Sequence, residues 1–137
     1  DITIHNTYWK NQDFYLECKN LDGGSDLTNK YVCYNTYKKN LTGQNIFDGG
    51  VLRFFNGKYA QNSGFGGIIG FLLTGDCTKT KNSLFKKLNE KLNTSPEGDL
   101  IKIIDGSIEG NDFTFDSLHN RLGKEFVIHH LLFDLSQ

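Results

Sequence analysis

The chain reads as an all-β protein, a sandwich or barrel, carrying one short helix. Short runs rich in aromatic and β-branched residues recur at intervals of about 8–12 residues, with Gly, Asn and Asp clusters between them. The chain holds 11 Phe and 6 Tyr against one Pro and no Met, a composition suited to pleated strands. One stretch alone switches to helical spacing.

The first runs, 13–18 (DFYLEC), 30–38 (KYVCYNTYK) and 51–55 (VLRFF), are read as strands, separated by LDGGSD and FDGG. Residues 68–73 lie in a Gly-punctuated apolar run too short for a helix, so a buried strand is expected there. Over 81–92, Leu84, Phe85, Leu88 and Leu92 fall at helical spacing with lysines opposite, which predicts an amphipathic helix. Pro96 and Gly98 end it. Residues 100–104, 107–109 and 125–133 are expected as further strands, and 116–123 as a loop. The opening DITIHNTYWK is an extra strand or an arm.

A chain of 137 residues, 37% hydrophobic, fits one domain with one core. The net charge of −1 lacks the basic surplus of a nucleic-acid-binding domain, so no nucleic-acid partner is expected. No run approaches the ~18 apolar residues of a membrane span, so no membrane insertion is expected. The start at Asp1 reads as a mature or trimmed chain. Three cysteines, Cys18, Cys33 and Cys77, fit one disulfide and one leftover thiol in a secreted protein. The sequons at Asn40 and Asn93 fit the same extracellular route, with glycosylation there.

From residue 30 onward, four pieces stand in order: a Cys-bearing strand with a Gly-rich turn and two more strands (KYVCYNTYKKNLTGQNIFDGGVLRFF), then GIIGFLLTGDCT, GDL at 98–100, and RLGKEFVIHHLLFDL. Together they resemble a Cu,Zn superoxide dismutase. The resemblance rests on Gly67, Gly70, Phe71, Gly75, Asp76, Cys77 and Thr78, on Gly98, Asp99 and Leu100, and on Leu122, Gly123, Val127, Ile128, His129, Asp134 and Leu135. It implies a Greek-key sandwich or barrel over 30–135, within a single domain 1–137.

The resemblance also implies lost chemistry. The family's two copper-ligand histidines on the G-F-H-x-H strand fall on Leu72 and Thr74. No His lies between His5 and His119, and a further zinc-ligand position is Pro96. Asp99 and His129 alone remain of the metal site. Copper cycling needs several imidazoles and zinc four ligands, so no catalytic residue, metal or cofactor is expected. The family's last strand and its half-cystine lie beyond Gln137. The resemblance therefore suggests that 1–29 supplies that strand through 13–20, pairing Cys18 with Cys77 and leaving Cys33 as the free thiol. Cys18–Cys33 stays open as the other pairing.

The remaining candidates point to little chemistry. His129 and His130 are adjacent on a strand and face opposite ways, so they cannot chelate one ion, and His129 is expected to be buried and hydrogen-bonded. His119 is expected to be a solvated loop residue rather than an acid–base group. Asp105, Glu109, Asp112 and Asp116 lack the pattern of a calcium loop. The Gly-rich 62–67 precedes a strand and is read as a turn, not a phosphate cradle. Tyr8, Trp9 and Lys10 are the expected exposed binding surface. These readings lead to a secreted, catalytically inactive superoxide-dismutase-like module that recognises a protein or glycan, as a monomer or through a dimer unlike the family's. The enzymatic alternatives are a metalloprotein rebuilt around His129 and Asp99, with His5 or His119, and a small hydrolase or nuclease around His119 or His130.

Overall fold

Small and apolar residues alternate along Phe65–Leu72 and make it a strand that is buried on one face and half-open on the other. Around it the chain folds as β1 (Ile2–Asn6), β2 (Gln12–Leu21), α1 (Ser25–Val32), β3 (Tyr34–Lys39), β4 (Asn45–Asp48), a 3-10 helix (Gly50–Phe54), β5 (Phe65–Leu72), α2 (Cys77–Leu92), β6 (Asp99–Asp105), β7 (Thr114–Arg121) and β8 (Lys124–Asp134). This computed structural model describes residues 2–6, 12–39, 45–56, 58–92 and 99–136, with the backbone alone at 2–6, 12–13, 34–39 and 45–48.

The main sheet runs β1-β2-β5-β8-β7-β6, with β3 and β4 as a separate pair. β2, β5 and β8 are parallel neighbours, while β1, β7 and β6 join antiparallel. Parallel strands cannot be joined by a hairpin, so the links from β2 to β5 and from β5 to β8 are crossovers that carry helices. Both steps run the same way along the sheet, and crossovers of one hand then place α1 and α2 on the same face. That face holds the core, including Leu21, Ile68, Leu72, Phe115, Phe126, Ile128 and Leu132, packed beneath Tyr31 and Val32 of α1 and Leu84 and Leu88 of α2. Gly66 belongs to this packing: a Cβ there would stand 2.3 Å from the Phe54 ring.

The β-rich expectation holds, and β2, β5, β6, β8 and α2 lie where the sequence places them. The Greek-key arrangement is not shown: β2, β5 and β8 are parallel neighbours in a six-stranded mixed sheet with helices on one side, and β3 and β4 form a separate pair. The expected strand at 51–55 is the 3-10 helix. Gly49 and Gly50 take φ of 105° and 47°, and a Cβ on Gly50 would lie 1.5 Å from the Tyr31 carbonyl oxygen. The chain turns there against α1 and buries Val51, Leu52 and Phe54 through a tight coil instead of by alternation. Residues 25–32 are helical rather than loop and strand. Residues 114–121 form β7 rather than a loop, and Ile108 makes only an isolated bridge to Asn111.

Several motif pieces have local explanations. Asp76 caps α2, its carboxylate accepting the Lys79 N–H at 2.8 Å. Leu122-Gly123 is the two-residue turn between β7 and β8, both residues at positive φ, 54° and 79°, the signature of a type I′ hairpin. Leu122 is 97% exposed, so its left-handed backbone is offset by no packing. Leu122→Asn should therefore raise stability by about 1 kcal/mol, read as an upward shift of the thermal midpoint. An unchanged or lowered midpoint would show that the turn does not carry this strain.

Candidate functional site

Four polar side chains occupy the helix-covered face where apolar residues are the rule: Glu17, Ser117, His119 and His130, each 2% exposed or less. Strand alternation puts Tyr15, Glu17, Lys19 and Leu21 on that face of β2. A lone carboxylate at this depth would be prohibitively costly. Lys19 makes an ion pair with Glu17 Oε1 from two residues along the strand. Arg53, on the last turn of the 3-10 helix, donates from one guanidinium nitrogen to both carboxylate oxygens, at 3.0 and 3.4 Å. The same nitrogen donates to the Tyr59 hydroxyl at 2.9 Å. The Tyr59 ring stacks on Tyr15 at 6.2 Å and lies 5.7 Å from the Arg53 guanidinium carbon. The Lys19 and Arg53 side chains are 23% and 26% exposed. The site is thus a buried carboxylate flanked by two cations that reach toward solvent.

The second group is a buried hydrogen-bond chain. Tyr31 Oη lies 2.9 Å from His130 Nδ1, Ser117 Oγ 2.8 Å from His130 Nε2, and His119 Nε2 2.7 Å from Ser117 Oγ. With both rings neutral, the chain runs consistently when Tyr31 donates to His130, His130 to Ser117, and Ser117 to His119. The His130 ring stacks on Phe115 at 4.1 Å. Burial, followed by the neighbouring His119 and His129, holds the His130 pKa well below the ordinary histidine value. Ile68 separates this chain from Glu17 in the ladder, so the two groups stand two strand spacings, about 10 Å, apart.

The residues singled out from the sequence fall elsewhere. His130 is the buried histidine, whereas the His129 side chain is 53% exposed and pairs with Asp116 at 3.0 Å. The expected burial of His129 is corrected because β8 turns its even-numbered residues to the helices. His119 is wholly buried, not a solvated loop residue, because β7 carries it under the core. Asp99 pairs with Asn120, and His129 with Asp116, so the two residual metal positions are about 13 Å apart along the strands. Among the described residues, no group of three His, Cys, Asp or Glu side chains is placed to hold a metal. Asp105 accepts from Lys81 at 2.7 Å rather than joining the other acids. No disulfide joins Cys18, Cys33 or Cys77. Cys18 alternates onto the open sheet face while Cys77 packs in the core at the start of α2, so the sheet stands between them. Tyr8, Trp9, Lys10, Asn40 and Asn93 lie outside the described residues. No described helix is long and apolar enough to cross a membrane.

Sequence reasoning passed over Glu17. Its signal was the pair Glu17 and Lys19, two apart and so on one side of a strand, on the same side as Tyr15 and Leu21.

His130 gives a pH test. Its unfolded pKa is near 6.5 and its folded pKa is lower. Between those values the unfolded chain binds more protons, so stability falls as pH drops. This contribution is complete above about pH 6.5 and is lost progressively below it. Denaturant unfolding at about pH 7.5 and pH 5 should show that loss in the wild type and a smaller one in His130→Gln. Equal losses would assign the acid sensitivity to other groups. No family model, curated protein or solved structure matches the chain, and its function is argued from these groups.

Proposed function

We propose that the protein binds a phosphate-bearing ligand at the two cations that flank Glu17. The observation that carries this reading is Glu17, wholly buried yet held between Lys19 and Arg53. One carboxylate faces two cations, so the three groups together carry a charge of +1, which favours an anion at their exposed tips. The Arg53 guanidinium presents N–H donors whose fork matches phosphate oxygens, and the Lys19 ammonium adds a second positive charge beside it.

The whole-chain charge of −1 argues against broad electrostatic binding, but a single phosphate group needs only a local cationic site.

Titration of the protein with inorganic phosphate and with a mononucleotide, read by calorimetry, tests this. Binding should weaken about tenfold or more in Lys19→Ala and in Arg53→Lys. Absence of phosphate binding by a chain shown to be folded by circular dichroism overturns the reading.

A second reading keeps the secreted, superoxide-dismutase-like recognition module for a protein or glycan, without chemistry. It is favoured by the open sheet face, where Phe14, Leu16, Ile69, His129 and Leu131 line a depression of about 430 Å³. Glycan-array binding that is lost in Ile69→Asp, in a protein that binds no phosphate, would support it over the first.

A further inference from the structure

We propose that the phosphate-bearing ligand is a mononucleotide, whose base stacks on the Tyr15 ring while its phosphate sits at Lys19 and Arg53. This rests on the reading of those two cations as a phosphate seat.

Tyr15, Glu17 and Lys19 stand on one face of β2, so the Tyr15 and Glu17 positions are one strand repeat apart, about 6.6 Å. Lys19 reaches back along the strand to Glu17, and Arg53 reaches the same carboxylate from the 3-10 helix. An aromatic ring therefore lies beside the two cations at a separation on the scale of a sugar, the unit that joins a base to its phosphate. The Tyr15 ring is only partly buried. Tyr59 stacks on it with centroids 6.2 Å apart and planes 23° from parallel, and no other ring among the described residues stacks on Tyr15. Tyr59 is itself held in place. The Phe54 ring meets it edge-on at 5.6 Å, and an Arg53 guanidinium nitrogen donates to its hydroxyl at 2.9 Å. The aromatic platform and the cation are thus fixed to one another, so a single ligand can engage both without reordering either. Every base has a flat π face, and stacking on an aromatic side chain accepts any of them. The net charge of −1 supplies no cationic track for a longer strand, so the ligand that fits is one nucleotide.

The test is calorimetric titration with inorganic phosphate, ribose 5-phosphate, a mononucleotide and a short single-stranded oligonucleotide, for the wild type, Tyr15→Ala and Tyr15→Phe. The wild type should bind the mononucleotide about tenfold more tightly than ribose 5-phosphate, and the oligonucleotide no more tightly than the mononucleotide. Tyr15→Ala should remove the margin for the mononucleotide while inorganic phosphate binds as before, and Tyr15→Phe should keep it. Equal wild-type affinity for mononucleotide and ribose 5-phosphate overturns the proposal. So does an unchanged margin in folded Tyr15→Ala, or tighter binding of the oligonucleotide. The wild-type comparison decides the matter if Tyr15→Ala does not fold. The outcomes separate from those of the proposed function. Inorganic phosphate binding with no margin for the nucleotide leaves the phosphate seat standing and removes the base. Absence of all phosphate binding removes both.

Discussion

The parallel ladder β2-β5-β8 is the constraint from which the rest of the fold follows. Its registers, Glu17 opposite Ile68 and Ile68 opposite His130, fix which residues look toward the helices. Because parallel neighbours need crossovers, the chain must send a helix over the sheet twice. Two steps in the same direction bring both helices to one face. That leaves Phe14, Leu16, Ile69 and Leu131 on the opposite face and puts every even-numbered residue of β8 from Phe126 to Leu132 under cover.

A covered face that includes Glu17 and His130 has to satisfy two polar groups of different kinds. His130 is handled by neutrality. Burial disfavours its charged form, and both ring nitrogens are taken by hydroxyls, so nothing ionic is needed. The arrangement locks α1 to the sheet through Tyr31, whose ring is wholly buried. Glu17 is handled by charge. Truncating one partner of a buried ion pair typically costs about 3–5 kcal/mol because the other charge is left stranded. An apolar residue would fill the position with less risk, so a buried carboxylate flanked by cations is a feature that packing alone does not require. The contrast is the reason to place binding at Glu17 and architecture at His130.

What was legible in the sequence follows how strongly each local pattern expresses burial. β5 is apolar along its covered face, β8 is apolar there except at His130, and α2 carries Leu84, Leu88 and Leu92 on one stripe, so their types could be read directly. α1 was hidden because SDLTNKYV mixes β-branched and aromatic residues with weak helix formers, and only packing of Thr28, Tyr31 and Val32 makes it a helix. The 3-10 helix was hidden because VLRF reads equally as a strand until Gly50 is pressed against α1. β7 was hidden because two of its covered positions are Ser117 and His119, polar residues whose burial depends on a hydrogen-bond partner on another strand. Glu17 was hidden for the same reason. Its principal partners are a neighbour on its own strand and an arginine 36 residues away, and the latter is invisible to periodicity.

The motif pieces that resemble a superoxide dismutase are placed by ordinary requirements of this fold. Asp76 starts a helix, Leu122-Gly123 closes a hairpin, and Gly70 faces the Leu21, Tyr31 and Leu132 side chains at distances that admit no Cβ without displacement. Each is a local solution that many folds share, and none requires a metal. The Glu17 arrangement differs in kind, because it joins residues that no turn, cap or close approach demands. Tyr15, Glu17 and Lys19 come from one strand, and Arg53 and Tyr59 from a segment brought over them by the Gly49-Gly50 turn. Their convergence depends on the tertiary fold, and their charges exceed what burial needs by one cation. A positive surplus at the solvent edge of a buried carboxylate is poor packing but a serviceable seat for a phosphate.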